Sequence, residues 1–379
     1  MPQNSDPQER RVLDELASQI PDVQRRLVER HPQLTMPDRG AHQQQLAGSK
    51  VTLDVARQLP PELAGLGIFA AGSTHLGIGR ISTGLGCPHA ETDADFLGLM
   101  VAFRSAAGRR VDFVTINDPT SPTDTPEEFV ALLKATADAA GAHGLLASQA
   151  TLLLSLARHA GIAAAPAIAL HVTGQTRQTV RSVSAYQQYW TGIVRARNVL
   201  GKFTFVPTAD HAADPRAGRG PTCFTDDWKR RQSAGALTFS LEWLPFVDDS
   251  ATPLADLTSA WRTQAVPVGT VTFPRIDPGS RDSRLIALLA SELGANPGNW
   301  VEAENDDGTG LPATRFTAAR MLAYRASQKN RGALADDKYA TFFERGEIAA
   351  PLAAELVRRY AAKRVAGHWV PDVGDVAAG

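Results

Sequence analysis

Hydrophobic residues recur along this chain with two different spacings, and the switches between them divide it into segments. Near the start, Val12, Leu13, Leu16 and Ile20 stand at helical spacing, predicting an amphipathic helical arm over about residues 7–30, ended by Pro32 and Pro37. Short alternating or β-rich runs follow at Lys50–Val55, Gly77–Ser82, Leu97–Phe103 and Arg109–Thr115, each predicted as a strand. The pattern then turns helical, with one helix opened by Thr125-Pro126-Glu127-Glu128 and another over about His143–His159. Strand-like runs resume at Ala167–Val172, Lys202–Pro207, Ala236–Phe246 and Val266–Phe273. Asp210–Gly220, rich in Gly, Pro and Asp, reads as a loop. Beyond Pro274 the helical spacing returns, around Ser283–Leu293, Thr317–Lys329 and Ala349–Val365.

Composition narrows the class. With 379 residues, 43% hydrophobic and 21% charged, the chain can bury an ample core in one large domain or two. Its net charge of -1 gives no argument for nucleic acid or for an anionic membrane surface. The two cysteines, Cys87 and Cys223, are far apart and lack metal-ligand spacing, so free thiols are expected. Met1–Arg11 is polar and charged, which predicts no secretory leader, and no apolar run approaches the length of a membrane span. A cytoplasmic enzyme is the expectation. Glu302, Glu304, Asp306 and Asp307 read as a solvated acidic loop in preference to a cation site.

The candidate chemistry centres on one tyrosine. Residues four, seven and eleven apart share a helix face, so Arg320, Tyr324 and Arg331 line up. A cation one turn away favours the ionised phenol, and a phenolate is a hard anionic oxygen able to hold ferric iron. Taken alone, the pattern fits an ordinary amphipathic helix with a half-buried tyrosine equally well. Tyr339 and Tyr360 lack an arginine four residues earlier.

The series Arg320, Tyr324, Ser327 and Arg331 resembles the proximal haem helix of the catalase superfamily, and further segments resemble the same family in the same order. Arg39-Gly40-Ala41-His42 is similar to its distal Arg-x-x-His. Gly79-Arg80-Ile81-Ser82-Thr83 is similar to its Arg-Phe-Ser strand. Asp95–Phe103 and Asp112–Pro119 resemble the two strands that follow, with Phe129 ten residues past the proline. The resemblance covers about residues 35–335 and looks closest to the small catalase-related haem proteins of bacteria. It implies an α+β fold, an antiparallel eight-stranded β-barrel with inserted and C-terminal helices. The implied parts are a helical arm at 1–34, a haem-binding barrel core at 35–275, and a helical region at 276–379 carrying the proximal helix.

The resemblance also implies roles. The cofactor would be haem b, its ferric iron held by Tyr324, with Arg320 hydrogen-bonded to the ligand oxygen. Arg39, Arg80 and Arg331 would meet the propionates and Phe129 would stack on the macrocycle. His42 would be the acid/base that cleaves a peroxide O–O bond, held by the Ser82 hydroxyl, with Asn117 as a second polar group. One departure stands out: the family's distal asparagine position, three before Pro119, holds Ile116, and Asn117 lies one residue nearer the proline. A one-residue shift reverses the face of a strand. Either a bulge returns Asn117 to the pocket or the pocket presents apolar Ile116. Gln43-Gln44-Gln45 and Ala41 also depart from the usual residues around the histidine. The expectation is therefore a peroxidase for hydrogen peroxide or organic hydroperoxides, with a small organic electron donor and weak catalase activity. Two alternatives stand beside it, an allene-oxide-synthase-like hydroperoxide isomerase or dehydratase or a biosynthetic haem oxidase of a small molecule, and a non-catalytic haem-binding or sensing protein. A homo-oligomer is compatible with the sequence.

Overall fold

The computed structural model describes residues 7–31, 34–140, 142, 145–178, 180–185, 187–196, 198–208, 220–300 and 312–365. The acidic run at 302–307, Pro32, His143 and most of the 210–220 loop lie outside the described residues. The predicted arm is two helices, α1 (Pro7–Ser18) and α2 (Ile20–Arg30). Pro21, in the first turn of α2, has no N–H to continue the α1 ladder, so the chain restarts there.

Four strands follow: β1 (Gln45–Val55), β2 (Thr74–Thr83), β3 (Leu97–Arg104) and β4 (Arg110–Ile116). Then come α3 (Pro126–Ala139), α4 (Leu145–Ala160) and α5 (Ala165–Thr176). The α3 start is a complete capping box, Thr125 accepting from the Glu128 N–H and Glu128 accepting from the Thr125 N–H. The strand predicted at Ala167–Val172 is instead part of α5. Its buried residues, Ala165, Ile168, Val172 and Gln175, recur every three or four positions, and the apparent alternation came from alanines that fit either period.

The strand that the sequence hid lies later, in two halves, β5 (Tyr189–Thr191) and β6 (Val194–Ala196), broken at Gly192-Ile193. Both halves pair with β7 (Val199–Pro207), and β5 also pairs with β4. After α6 (Cys223–Ala234) come β8 (Leu237–Pro245) and β9 (Val266–Phe273), and β9 returns to β1. With β5 and β6 counted as one broken strand, eight antiparallel strands close into a barrel. The remaining helices are α7 (Arg281–Glu292), α8 (Arg315–Asn330), α9 (Ala340–Arg345) and α10 (Ala350–Val365).

Strand alternation splits the barrel residues into two sets. Ile81, Leu99, Val101, Phe103, Phe113, Phe203, Phe205, Phe239, Trp243 and Phe273 fill one core, in which Phe113 packs edge-on against Phe203, Phe205 and Trp300. The opposite parity, Arg80, Ser82, Gly98, Met100, Val114 and Ile116, faces out of that core and lines a cavity roofed by helices. Two contacts fix α8 over this outer face. Leu13 and Ile20 of the arm pack on its alanines Ala318, Ala319 and Ala323. The buried Asp112 carboxylate on β4 accepts from Arg110, from the Asn296 N–H at 2.9 Å and from Asn299 Nδ2 at 2.7 Å, while Asn296 Nδ2 donates to the Met321 carbonyl of α8 at 3.0 Å.

Candidate active site

The outer face of β2–β4 and one side of α8 enclose a cavity of about 630 Å³, within the range of pockets that hold a cofactor or a drug-sized ligand. Arg39, His42, Arg80, Ser82, Phe129, Arg320, Tyr324 and Arg331 all line it. Of the site residues expected from sequence, Asn117 alone does not. Its Oδ1 accepts from the Leu97 N–H at 2.8 Å and its own N–H donates to the Leu97 carbonyl at 2.9 Å, which fastens the end of β4 to β3. No bulge restores it. Ile116 lines the cavity in its place, paired across strands with Trp190, as strand parity requires.

His42 sits on a turn with φ 54°, the one non-glycine residue among those described in the left-handed region. Three features hold it there. Its N–H donates to the Gly84 carbonyl at 2.7 Å, Arg80 Nη2 donates to its carbonyl at 2.7 Å, and Ser82 Oγ lies 3.2 Å from its Nδ1. The imidazole rests over Gly98, which pairs with Ser82 across β2 and β3. A Cβ at Gly98 would come within 2.7 Å of His42 Cε1 and 2.8 Å of Nδ1. Burial pushes the imidazole pKa down to about 4, with Arg80, Arg320 and Arg39 adding to the shift and Asp95 opposing it. The ring is therefore neutral at pH 7, and with Nδ1 on Ser82 its Nε2 is the nitrogen left to exchange a proton.

Sequence reasoning gave no role to Asp95. The structure makes it the brace of the histidine turn: its carboxylate accepts from the Gly84, Leu85 and Phe96 N–H groups at 2.7, 2.9 and 2.7 Å. Gly84 and Leu85 in turn accept the N–H groups of His42 and Gln43. His89 Nε2 lies 3.1 Å from the same carboxylate. Burial alone would lower the His89 pKa, but the hydrogen bond and charge of Asp95 outweigh it and hold the pKa above the ordinary value. The available signal was an aspartate three residues before a strand glycine, which the sequence cannot connect to a turn ten residues upstream.

The cations divide into two groups. Arg80 is spent on the protein, with Nη2 on the His42 and Gln43 carbonyls and Nε on Gln45 Oε1 at 3.2 Å. Arg39 and Arg331 meet at the Leu293 carbonyl, and each keeps a buried Nη1 with no partner among the described residues. Burial, reinforced by the Arg331 charge, brings the Arg39 pKa down to about 10. Both residues line the cavity, and two guanidinium groups at one wall suit carboxylates. On α8, the Arg320 guanidinium lies over the Tyr324 ring, 5.8 Å from its centroid. Gly192, at the break between β5 and β6, makes room for it, since a Cβ there would come within 2.6 Å of Arg320 Nη1. Phe129 packs edge-on against Phe316 at 5.6 Å. Ser327 Oγ accepts from Gln24 Nε2 of the arm at 3.1 Å.

The barrel, its inserted helices and the helices that follow make up the catalase fold. A bacterial catalase superposes with a TM-score of 0.59 at 19% identity, over 83% of this chain and 60% of its own. A fungal catalase gives a TM-score of 0.60 at 16% identity, over 84% and 63%. Catalase A from Saccharomyces cerevisiae gives 0.56 at 15% identity, over 84% and 64%. The chain thus spans just over three fifths of the length of these catalases. No family model matches it, and no curated protein does.

Proposed function

We propose that the cavity binds haem b and that the protein is a peroxidase acting on organic hydroperoxides. The observation that carries this reading is the pairing, in one cavity, of the His42–Ser82 couple with Tyr324 and the two half-satisfied arginines. The residues fit the group: Tyr324 would hold the iron, and the guanidinium groups of Arg39 and Arg331 would take the propionates. When bound, haem supplies an iron centre able to accept the oxidising equivalents of a peroxide.

The chain's own part is proton handling. Neutral His42 takes a proton at Nε2 from the oxygen of an entering hydroperoxide and returns it to the leaving oxygen, so that the bond breaks heterolytically. Ser82 fixes the ring by its contact with Nδ1, and the Asp95 brace keeps the turn in place. Ile116 favours an alkyl substituent over a second small polar molecule, which supports organic hydroperoxides and argues for weak hydrogen peroxide dismutation. The same apolar wall supports a second reading, rearrangement or dehydration of the hydroperoxide without an external donor.

The test is an absorption spectrum of the haem-reconstituted protein, followed by rapid mixing with hydrogen peroxide and with cumene hydroperoxide. A tyrosinate-type Soret spectrum that is lost or shifted in Tyr324→Phe is expected, together with faster reaction with the organic peroxide. No haem uptake, or an unchanged spectrum in Tyr324→Phe, overturns the reading. Product analysis without an electron donor separates peroxidase from rearrangement.

A further inference from the structure

The overall charge of -1 conceals a strong segregation. Residues 139–209 contain no Asp or Glu but six Lys or Arg, so the rest of the chain carries a net charge of -7. The middle of this acid-free stretch is the α4–α5 hairpin. One side of it packs on α3 through Leu156, Ala165, Ile168 and Val172. The other side is just as apolar and is uncovered: Leu154, Ile162 and Leu170 are 72%, 84% and 76% exposed. Helices that are apolar all round are ordinarily covered all round. Arg158 and Arg177, four and seven residues past Leu154 and Leu170, share their helix faces, Arg181 follows in sequence, and all three are exposed.

We propose that this face docks on the surface of an anionic lipid bilayer. The leucines and Ile162 would enter the acyl boundary while the three arginines meet the headgroups. Charge decides between a bilayer and a second copy of the chain. Two-fold pairing through this face would bring the arginine flanks of both copies together with no carboxylate in the segment to offset them. Among the described residues no helix is long and apolar enough to cross a membrane, so the contact lies in the plane of the interface. The same helices line the cavity with Leu152, Val172 and Thr173, and exposed Arg177 stands at its rim. Docking would therefore set the cavity entrance against lipid. The proposal does not depend on what the cavity binds.

Vesicle sedimentation tests it, using phosphatidylcholine alone and phosphatidylcholine mixed with phosphatidylglycerol. The protein should pellet with the mixed vesicles, and the triple variant Leu154→Asp, Ile162→Asp, Leu170→Asp should partition at least about tenfold less. No pelleting, or equal pelleting of parent and variant, overturns the proposal. A second measurement does not rely on a loss. Ile162→Cys can be labelled selectively with an environment-sensitive dye, because Cys87 and Cys223 are free but buried. A blue-shifted, brighter emission on adding mixed vesicles supports docking, and an unchanged spectrum refutes it. If the parent self-associates, the triple variant is monomeric and the dye ignores vesicles, a second copy covers the face and the bilayer proposal fails.

Discussion

Gly98→Ala probes the geometry around His42 with a single methyl group. The added Cβ would stand 2.7 Å from His42 Cε1 and 2.8 Å from Nδ1, against an ordinary carbon contact of about 3.5 Å, so one side must yield by roughly 0.8 Å. The methyl cannot retreat, because the Thr115 carbonyl lies 3.2 Å away on backbone of the neighbouring strand. Nor can the histidine backbone slide easily, being held by Gly84, Arg80 and the Asp95 brace. The imidazole must therefore turn, which stretches its 3.2 Å contact with Ser82 past the useful hydrogen-bond range of about 3.5 Å. A catalytic group displaced by this much costs about a hundredfold in rate, while the fold loses about 1–3 kcal/mol to overpacking. Stopped-flow mixing of the haem-loaded variant with cumene hydroperoxide measures the rate, and the Soret band reports whether haem is retained. In a His42→Ala background the same change should be silent, since the ring it strikes is gone. A Gly98→Ala rate within roughly threefold of the parent, or an equal loss in both backgrounds, would refute the argument.

Three further outcomes are expected. Because the folded His42 pKa is about 4 against an ordinary 6.5, the unfolded chain takes up the proton first as pH falls. Folding stability therefore falls by about 3 kcal/mol between pH 6.5 and about pH 4 through this group alone, so the parent should lose that much relative to the non-titrating His42→Gln over this range, and a difference in denaturant midpoint that stays constant with pH would contradict it. Ile116→Asn should raise oxygen release from hydrogen peroxide relative to cumene hydroperoxide turnover, by roughly tenfold, and an unchanged ratio counts against Ile116 as the selecting wall. Asp112→Ala should cost about 1–3 kcal/mol in denaturant unfolding, since it removes the acceptor of the Asn296 N–H and of Asn299 Nδ2 and leaves buried Arg110 with Asp336 and the Gly294 carbonyl; a loss under about 0.5 kcal/mol would contradict that role.

Much of the fold was legible because its strands are short β-rich runs set off by turns and its helices carry strong starts. Val266–Phe273 and the Thr125 capping box are cases where local chemistry and the final fold agree. Ala167–Val172 failed because alanine satisfies both periods, and Tyr189–Ala196 because a strand broken at Gly192 has too few residues to show any period. At the site, Arg39, His42, Arg80, Ser82, Phe129, Arg320, Tyr324 and Arg331 were recognisable as a series, and the structure gathers them at one cavity. Strand parity makes Ile116 and Asn117 face opposite ways, and the bond of Asn117 to the Leu97 backbone decides which one meets the cavity. What remained invisible was shape: the room that Gly98 gives to an imidazole and Gly192 to a guanidinium, and the turn that Asp95 supports. These depend on residues that approach only after the strands pair.

The two-sided strands also bear on how such a protein can change. Because Ile81, Leu99, Val101 and Phe113 hold the barrel while Ser82 and Ile116 stand on its other face, substitutions at those two wall positions leave the barrel core untouched. New chemistry can therefore be tried at such positions without repacking the barrel, whereas Gly98 and Val114 meet the histidine and the helix-side core. The same arrangement makes a single-residue insertion in β2, β3 or β4 ruinous, since it would exchange the two faces beyond that point and bury the arginine where the barrel needs isoleucine.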